Sequence, residues 1–419
     1  MEKFMNWMSE KVAPKMEKFT ANTWLSAMQK SIIKTLPMVL VGSLITIYNV
    51  IRNFIPTLPV LTDIRNYTFG LISIFIVFLI PFYVLELKKN HKMKFIAGFT
   101  GISLFMILVN PEVSSAGYMY KFTNFGAGGM FVAIVAGLFT AFVMNLFGKF
   151  TFFKEDSVMP DFIKEWFDSM IPITIVVVIG WFIVLNRHFD MYTFIVNLFL
   201  PLNSIAQSLP GMILLYLIPT IFYSMGISGW VFQPLLNPVA MFAITANLAS
   251  VEAGLKATQP FTDPAIYAFL SIGGRGATLA LSVMLMSAAS KRLKSLGKAC
   301  IVPSVLNINE PLVFGCVAWN PILMVPMWIT AIVLPTVTYL ALTSGIVTMP
   351  HEVFSMWYSP IGIAAWIVSG ISGVILALVN LGISALIFFP FFKIYDKQQT
   401  ALEASEDAVQ EMELKTKEA

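Results

Sequence analysis

Long apolar runs, each close to the length that crosses a lipid bilayer, recur along the whole of this chain. A membrane-spanning helix needs roughly 20 consecutive, mostly apolar residues. Of the 419 residues, 57% are hydrophobic and only 12% are charged, whereas a soluble domain is usually about 25% charged. A bilayer must therefore cover much of the surface, and we predict an all-α, polytopic membrane protein. Candidate spans lie near residues 29–52, 66–87, 92–110, 127–148, 170–187, 210–227, 277–290, 318–344 and 361–392.

Two more apolar segments, near 230–248 and 300–315, are short, and each is interrupted by two prolines. Non-helical backbone is tolerated at membrane depth only where protein or a water-filled cavity covers it. In transporters, such interrupted segments indicate a binding site near the middle of the bilayer. The alternative interpretation is that they are buried turns between helices. We expect about ten transmembrane helices, with two re-entrant hairpins in the C-terminal half.

Charge and amphipathicity divide the chain into four parts. Residues 1–190 hold the first five candidate spans, and residues 191–208 read as an amphipathic linker at the membrane interface. Residues 209–392 form the second membrane domain, and residues 393–419 form a charged tail. The positive-inside rule assigns loops rich in Lys and Arg to the cytoplasm, so both termini are expected there. The positive clusters are the N-terminal segment, Lys88, Lys89, Lys92, Lys94, Lys149, Lys154, Lys291, Arg292, Lys294, Lys298, Lys393 and Lys397.

Several function classes are not supported by the composition. The two cysteines, Cys300 and Cys316, have no CxxC or zinc-like spacing, and the three histidines lie near the ends of apolar runs. We therefore expect no metal and no cofactor. The net charge of +4 is small and gives no reason to expect a nucleic-acid partner. The first residues place charges and aromatic rings at helical spacing, which favours an amphipathic helix on the membrane surface over a cleaved signal peptide.

The sharpest local feature is the run Asn307-Ile308-Asn309-Glu310-Pro311 between two apolar arms. An acidic group at the bilayer centre costs on the order of 3 kcal/mol, so a ligand, a cation or a polar group must offset that cost. Pro311 has no N–H and biases Glu310 towards extended backbone, which can turn side chains into a cavity. The two asparagines supply the paired donors and acceptors that sugar hydroxyls require. The alternative is a polar cap on a broken helix.

This run resembles the NINEP signature of the phosphotransferase-system EIIC permeases of the lactose, cellobiose and diacetylchitobiose family. The resemblance extends over residues 1 to about 395. It implies a sugar permease of the bacterial cytoplasmic membrane, in contact with lipid. Further similarities lie at Gly297-Lys298, at the run GGRGATL over 273–279, at the run TQPFTD over 258–263, and in the first span between Ser26 and Pro37.

The resemblance implies group translocation of a β-linked disaccharide or glucoside of the cellobiose, diacetylchitobiose or lactose type. A homodimer would be scaffolded by the N-terminal domain, while the C-terminal domain would carry the sugar. A separate phosphorylated EIIB protein would donate the phosphoryl group. With separate EIIB and EIIA proteins required, this chain would be the membrane subunit of a phosphotransferase, without an autonomous active site.

The resemblance also assigns roles to individual residues. Glu310 would bind the sugar hydroxyl and act as its general base. Cys316 reads as a packed core cysteine rather than a phosphate carrier. The further candidates for sugar binding are Asn307, Asn309, Gln233, Thr278, Ser228 and Arg275.

Two residues depart from the family pattern. Ser228 stands where the family has a histidine that contacts the sugar, and Arg275 stands where the family has a small hydroxyl residue. Arg275 either reaches the cavity, where it pairs with Glu310 or with an anionic group of the substrate, or faces the cytoplasmic mouth or the lipid headgroups. Two other functions also fit: a sugar facilitator or sensor that has lost phosphorylation, and an ion-coupled carrier or membrane enzyme that uses Glu310 as a proton site. Permeation coupled to phosphorylation is the leading hypothesis.

Overall fold

The computed structural model of the protein describes residues 7, 10–11, 14–15, 18, 21–115, 117–148, 150–153 and 159–418. The side chains at 53, 407 and 409–418 are outside that description. Most of the predicted N-terminal amphipathic helix lies outside the described residues, as do Lys149 and Lys154 of the positive clusters.

Helices make up nearly all of the regular structure in the described part of the chain. The long helices are α1 (Thr23–Phe54), α2 (Ile72–Leu87), α3 (Lys94–Leu108), α4 (Met130–Leu146), α5 (Asp161–Trp181), α6 (Met191–Ala206), α7 (Leu209–Ser224), α8 (Gln233–Glu252), α9 (Leu279–Met286), α10 (Lys291–Val305), α11 (Pro321–Thr343) and α12 (Ile363–Glu418). A small antiparallel hairpin joins β1 (Glu112–Ser114) to β2 (Gly117–Met119). Short helical turns lie at Thr62–Asn66, Phe69–Leu71, Phe122–Phe125, Ala127–Gly129, Phe182–Asn186, Gly229–Phe232, Asp263–Ala265, Ile266–Leu270, Glu310–Leu312 and Val313–Val317.

Seven helical segments within the described residues are long and apolar enough to cross a bilayer, or eight if α6 and α7 together make one span. The runs predicted near 29–52, 66–87, 127–148, 170–187, 318–344 and 361–392 each coincide with one of them. The prediction of a helical, multi-pass membrane protein is confirmed.

Two apolar runs fold differently from the prediction. Near 277–290, α9 has only eight residues, a length of about 12 Å, which is too short to cross a bilayer. Near 230–248, where prolines were expected to break the helix, α8 is continuous over 20 residues. Pro234 lies in the first turn of α8, where a missing N–H removes no intrahelical hydrogen bond.

The chain divides into two compact units, and the N-terminal unit consists of Lys15–Ile205 and Trp230–Ala249. Within this unit α2 packs against α1, α3 and α4, which explains why α2 is apolar on all faces. Glycines set the spacing between these helices. A Cβ atom on Gly101 would lie 2.7 Å from the carbonyl oxygen of Val77, so only glycine permits this approach of α3 to α2.

The C-terminal unit is built mainly from Ala206–Gly229 and Ser250–Ala419. In it, α11 packs against α7 and α12, while α9 packs against α10 and α12. Cys316 lies in its buried apolar core, as the sequence predicted for this cysteine. The last helix, α12, is kinked at Gly370, whose φ of +63° is outside the helical region and is tolerated because glycine has no Cβ.

Two carboxylates fasten the end of α12 to the start of α10. The oxygens of Asp396 accept hydrogen bonds from the backbone N–H groups of Ala289 and Ser290, both at 3.0 Å. Glu403 accepts a hydrogen bond from the Ser290 hydroxyl at 2.6 Å and from two backbone N–H groups at the start of α10, each at 2.9 Å. The first N–H groups of a helix have no intrahelical partner, so anionic groups are favourable there. We call this contact between Asp396, Glu403 and residues 289–292 the C-terminal clasp.

Candidate functional site

The residues 273–277 form a tight loop immediately before α9, which we call the glycine loop. Its three glycines and Ala277 have φ values between +54° and +92°. A Cβ atom on Gly274 would collide with the side chain of Asn309. Glycine is therefore required here both by the left-handed backbone and by the space that Asn309 occupies. The glycine loop is thereby held directly against the Asn-Glu-Pro run.

Asn309 connects three separate parts of the C-terminal unit. Its Nδ2 donates hydrogen bonds to the carbonyl oxygen of Arg275 at 2.9 Å and to the hydroxyl of Thr278 at 2.8 Å. Its Oδ1 accepts a hydrogen bond from the hydroxyl of Tyr223, on α7, at 3.0 Å. The side chain is 3% exposed. Because protein groups engage both its N–H groups and its oxygen, Asn309 ties the motif to the glycine loop and to α7.

Asn307 connects the motif to the glycine loop and to the segment that contains Trp357 and Ser359. Its Nδ2 donates to the carbonyl oxygens of Trp357 and Ser359, both at 3.0 Å. Its Oδ1 accepts a hydrogen bond from the backbone N–H of Gly273 at 2.8 Å. The hydrogen bonds of Asn307 and Asn309 therefore hold the motif in place, and we call this set of bonds the frame. The predicted contact of both asparagines with sugar stays a prediction.

Glu310 differs from the asparagines beside it. It is exposed, and its carboxylate forms no hydrogen bond or ion pair with a described residue. It is the first residue of the turn Glu310–Leu312, which Val313–Val317 continues. The bonds of Asn309 fix the backbone next to it. The carboxylate is therefore positioned and chemically available, either to accept a hydrogen bond from a hydroxyl or to take up its proton.

Arg275 lies in the glycine loop and does not pair with Glu310. Its guanidinium stands 5.5 Å from the centre of the Tyr216 ring. Its Nη1 is buried and has no hydrogen-bond partner among the described residues. A cation above an aromatic ring gains about 0.5–2 kcal/mol, whereas a buried, unpaired N–H costs about 1–3 kcal/mol and more when it is charged. The aromatic contact alone therefore does not satisfy this group.

The remaining candidates have different surroundings. Thr278 is fully buried, and its hydroxyl donates to the carbonyl oxygen of Gly273 at 2.8 Å. Ser228 is exposed and precedes Gly229, where a Cβ atom would lie 3.0 Å from Nε of Arg275. Gln233 is buried at the start of α8 and belongs to the N-terminal unit. Four predicted residues thus meet in one hydrogen-bond network of the C-terminal unit: Thr278, Asn307, Asn309 and Arg275. Glu310 adjoins this network as the residue after Asn309.

Sequence reasoning missed the aromatic residues of this network. The hydroxyl of Tyr216 donates to the carbonyl oxygen of Leu270 at 2.7 Å and accepts from the N–H of Gly276 at 3.2 Å. The hydroxyl of Tyr223 donates a hydrogen bond to Oδ1 of Asn309, and the carbonyl oxygen of Trp357 accepts one from Nδ2 of Asn307. These partners lie 50 to 86 residues apart in sequence, so no local pattern could have identified them.

The acidic residue of the TQPFTD run belongs to the same neighbourhood. Asp263 is 4% exposed, lies outside the candidate spans, and has one oxygen without a hydrogen-bond partner among the described residues. Burial raises the pKa of Asp263 to about 6, while a hydrogen bond with the side chain of Ser355 opposes the rise. Ser355 lies just before Trp357 and Ser359, whose carbonyl oxygens accept hydrogen bonds from Asn307. Asp263 therefore helps to hold the segment to which Asn307 is bonded.

The protein is helical and crosses the membrane several times, and its polar motif is held in place by hydrogen bonds and carries one available carboxylate. These features fit a membrane permease for a polar solute. Comparison with known proteins gives the family. The profile described as "Phosphotransferase system, EIIC" matches residues 29–335, which is most of the chain. The chain belongs to this family and is a phosphotransferase-system EIIC sugar permease.

Similar proteins match over nearly the whole of this chain. The cellobiose-specific EIIC component of Geobacillus stearothermophilus is 29% identical, and the alignment covers 98% of both chains. The lactose-specific EIICB component of Staphylococcus haemolyticus is 26% identical over 95% of this chain and 71% of that protein. The crystal structure of ChbC, the IIC component of the N,N'-diacetylchitobiose-specific system, superposes with a TM-score of 0.86 at 27% identity, covering 95% of this chain and 99% of ChbC.

Proposed function

We propose that this permease binds a β-linked disaccharide or glucoside and translocates it in a step coupled to phosphorylation by a separate phospho-EIIB protein. The observation that carries the proposal is the Glu310 carboxylate, which is exposed and bonded to no described residue. The two asparagines beside it are already hydrogen-bonded to protein groups. The names of the similar proteins, which refer to cellobiose, lactose and diacetylchitobiose, support this substrate class. They also favour a phosphotransferase component over a facilitator or sensor.

The proposed chemistry needs one base at the sugar. A hydroxyl of the bound sugar, usually the 6-hydroxyl, attacks the phosphorus of a phosphocysteine on EIIB. The S–P bond breaks, an O–P bond forms, the cysteine leaves as its thiolate, and the hydroxyl proton passes to Glu310. The hydrogen bonds of Asn307 and Asn309 hold the backbone that carries Glu310, and a base whose place in the site is set by the fold accelerates proton transfer. We further propose that Thr278, Ser228, Arg275 and Gln233 contribute to the sugar site.

The finer architecture is part of the same proposal. We propose about ten transmembrane segments, with re-entrant hairpins that carry the motif in the C-terminal half. The shortness of α9 and the break before Glu310 support such hairpins. Residues 1–190 would scaffold a homodimer, residues 191–208 would lie at the interface, residues 209–392 would carry the sugar, and the tail from 393 would be cytoplasmic.

The decisive test replaces Glu310 with glutamine in the purified protein. Binding and phosphorylation of cellobiose, diacetylchitobiose, lactose and simple glucosides are measured with and without phosphorylated EIIB. We expect sugar phosphate only with EIIB, and a fall of at least about 100-fold in its formation by Glu310→Gln, the usual scale for loss of a general base.

The matched control is Glu112→Gln, an exposed carboxylate of the β-hairpin in the N-terminal unit. We expect it to phosphorylate sugar at the wild-type rate. Full activity of Glu310→Gln would remove this residue from the mechanism. Sugar binding without any phosphate product in the wild type would instead support the facilitator or sensor.

A further inference from the structure

We infer that Arg275 forms a subsite for an anionic group, and that the preferred sugar of this permease therefore carries a carboxylate. The inference rests on the proposed sugar site and deepens it by naming the chemical class of the substrate.

The arginine is held in place along its whole length. Its carbonyl oxygen accepts a hydrogen bond from Asn309 at 2.9 Å. Its Nε passes so close to Gly229 that a Cβ atom there would lie only 3.0 Å away. Its guanidinium stands above the ring of Tyr216, whose hydroxyl is itself bonded to the N–H of Gly276. A side chain fixed at its base, stem and head loses little freedom when it binds a ligand.

No described residue neutralises this cation. Nη1 of Arg275 is buried without a hydrogen-bond partner, and no described carboxylate forms an ion pair with it. Asp263 is engaged with Ser355, and the carboxylate of Glu310 is exposed. Arg275 is partly buried, and a buried N–H of a charged group that has no partner is unfavourable. An anion that arrives with the substrate would satisfy it.

The place of Arg275 makes the sugar the natural source of that anion. Tyr223 lies within electrostatic reach of both Glu310 and Arg275, and its hydroxyl is fixed on Asn309. The site thus presents an acceptor for a hydroxyl and a cation in the same small region. A guanidinium binds the two oxygens of a carboxylate in a planar, bidentate way. A neutral disaccharide would engage Glu310 and leave Arg275 unmatched.

The test compares cellobiose with the two disaccharides in which a carboxylate replaces one of its C6 hydroxymethyl groups. Binding to the full-length purified protein is measured by calorimetry for wild type, Arg275→Gln and Arg275→Lys. We expect at least one acidic isomer to bind the wild type about tenfold or more tighter than cellobiose, the scale of a charge-assisted hydrogen bond. Arg275→Gln should abolish this preference, so that the acidic isomers no longer bind more tightly than cellobiose, and Arg275→Lys should keep part of it.

The matched control is Arg187→Gln, which removes another arginine that stands over an aromatic ring, 5.1 Å from the centre of Phe182. It should retain the preference for the acidic isomer. Equal or weaker binding of both acidic isomers by the wild type would overturn the inference, even if Arg275→Gln failed to fold. A preference that survives in Arg275→Gln would overturn it as well. Phosphorylation of neutral sugars by EIIB is scored separately, so failure of the subsite and failure of the proposed function give different results.

Discussion

Asn309 and Glu310 are neighbours in the chain, but their surroundings are opposite. The amide of Asn309 is buried and bonded to Tyr223, Arg275 and Thr278. The carboxylate of Glu310 is exposed and bonded to no described residue. The motif therefore separates two tasks that a sequence pattern cannot distinguish: framing the site and offering a reactive group.

This separation predicts different outcomes for two substitutions. Asn309→Ala leaves the hydroxyl of Tyr223 and the carbonyl of Arg275 without partners, so we expect a loss of roughly 2–4 kcal/mol in stability. Glu310→Gln removes no hydrogen bond to a described residue and should unfold at the wild-type temperature. Thermal unfolding of both proteins in the same detergent is the measurement. Equal melting temperatures for Asn309→Ala and the wild type would show that the frame is not a source of stability.

At the scale of elements, the C-terminal clasp joins two helices that the sequence places about 100 residues apart. Asp396 and Glu403 are seven residues apart on α12, close to two helical turns, so both carboxylates face the same neighbour. Their partners are backbone N–H groups at the start of α10, the helix that leads towards the Asn-Glu-Pro run. The clasp therefore links the tail to the helix that precedes the site.

The clasp makes a prediction for exchange of backbone hydrogens. Glu403→Gln keeps the shape but loses the charge that favours binding at a helix N-terminus, so the contact with the start of α10 weakens. Glu403→Ala should do more, because it also removes the acceptors of three hydrogen bonds. We expect faster exchange at residues 289–292 in the order wild type, Gln, Ala, measured by hydrogen–deuterium exchange. Glu406→Ala, an exposed position on the same helix, is the control and should leave these amides unchanged.

The elements also show what the sequence could specify. Most long apolar runs became helices, because length and hydropathy are properties of a contiguous segment. The continuity of α8 was missed because its two prolines were expected to break it: Pro234 falls in a first turn that tolerates it, and the helix continues through Pro238. The shortness of α9 was missed because the left-handed glycine loop fixes its start. The motif was recognised from sequence, but the bonds of Asn307 depend on partners 34 to 52 residues away, which only the folded chain brings together.

At the scale of the whole molecule, the positive clusters predict which loops face the cytoplasm. Single cysteines at Lys89 and Ser115, both exposed, should react differently with a maleimide that cannot cross the membrane. We expect Ser115→Cys, in the β1–β2 hairpin, to be labelled in intact cells, and Lys89→Cys to be labelled only after permeabilisation. The native Cys300 and Cys316 are buried and should give little background. The reverse pattern of labelling would invert the proposed orientation.

The engagement of both asparagine amides with the protein's own backbone has a consequence for how such permeases diversify. Asn307 and Asn309 cannot be exchanged without loss of stability, and the proposed base Glu310 cannot be exchanged without loss of phosphorylation, whereas the head group of Arg275 has neither constraint. Natural selection can therefore alter the charge and size of the side chain at position 275 while the scaffold stays the same. A new nutrient would then be accessible through one or two substitutions, without passing through an unstable intermediate.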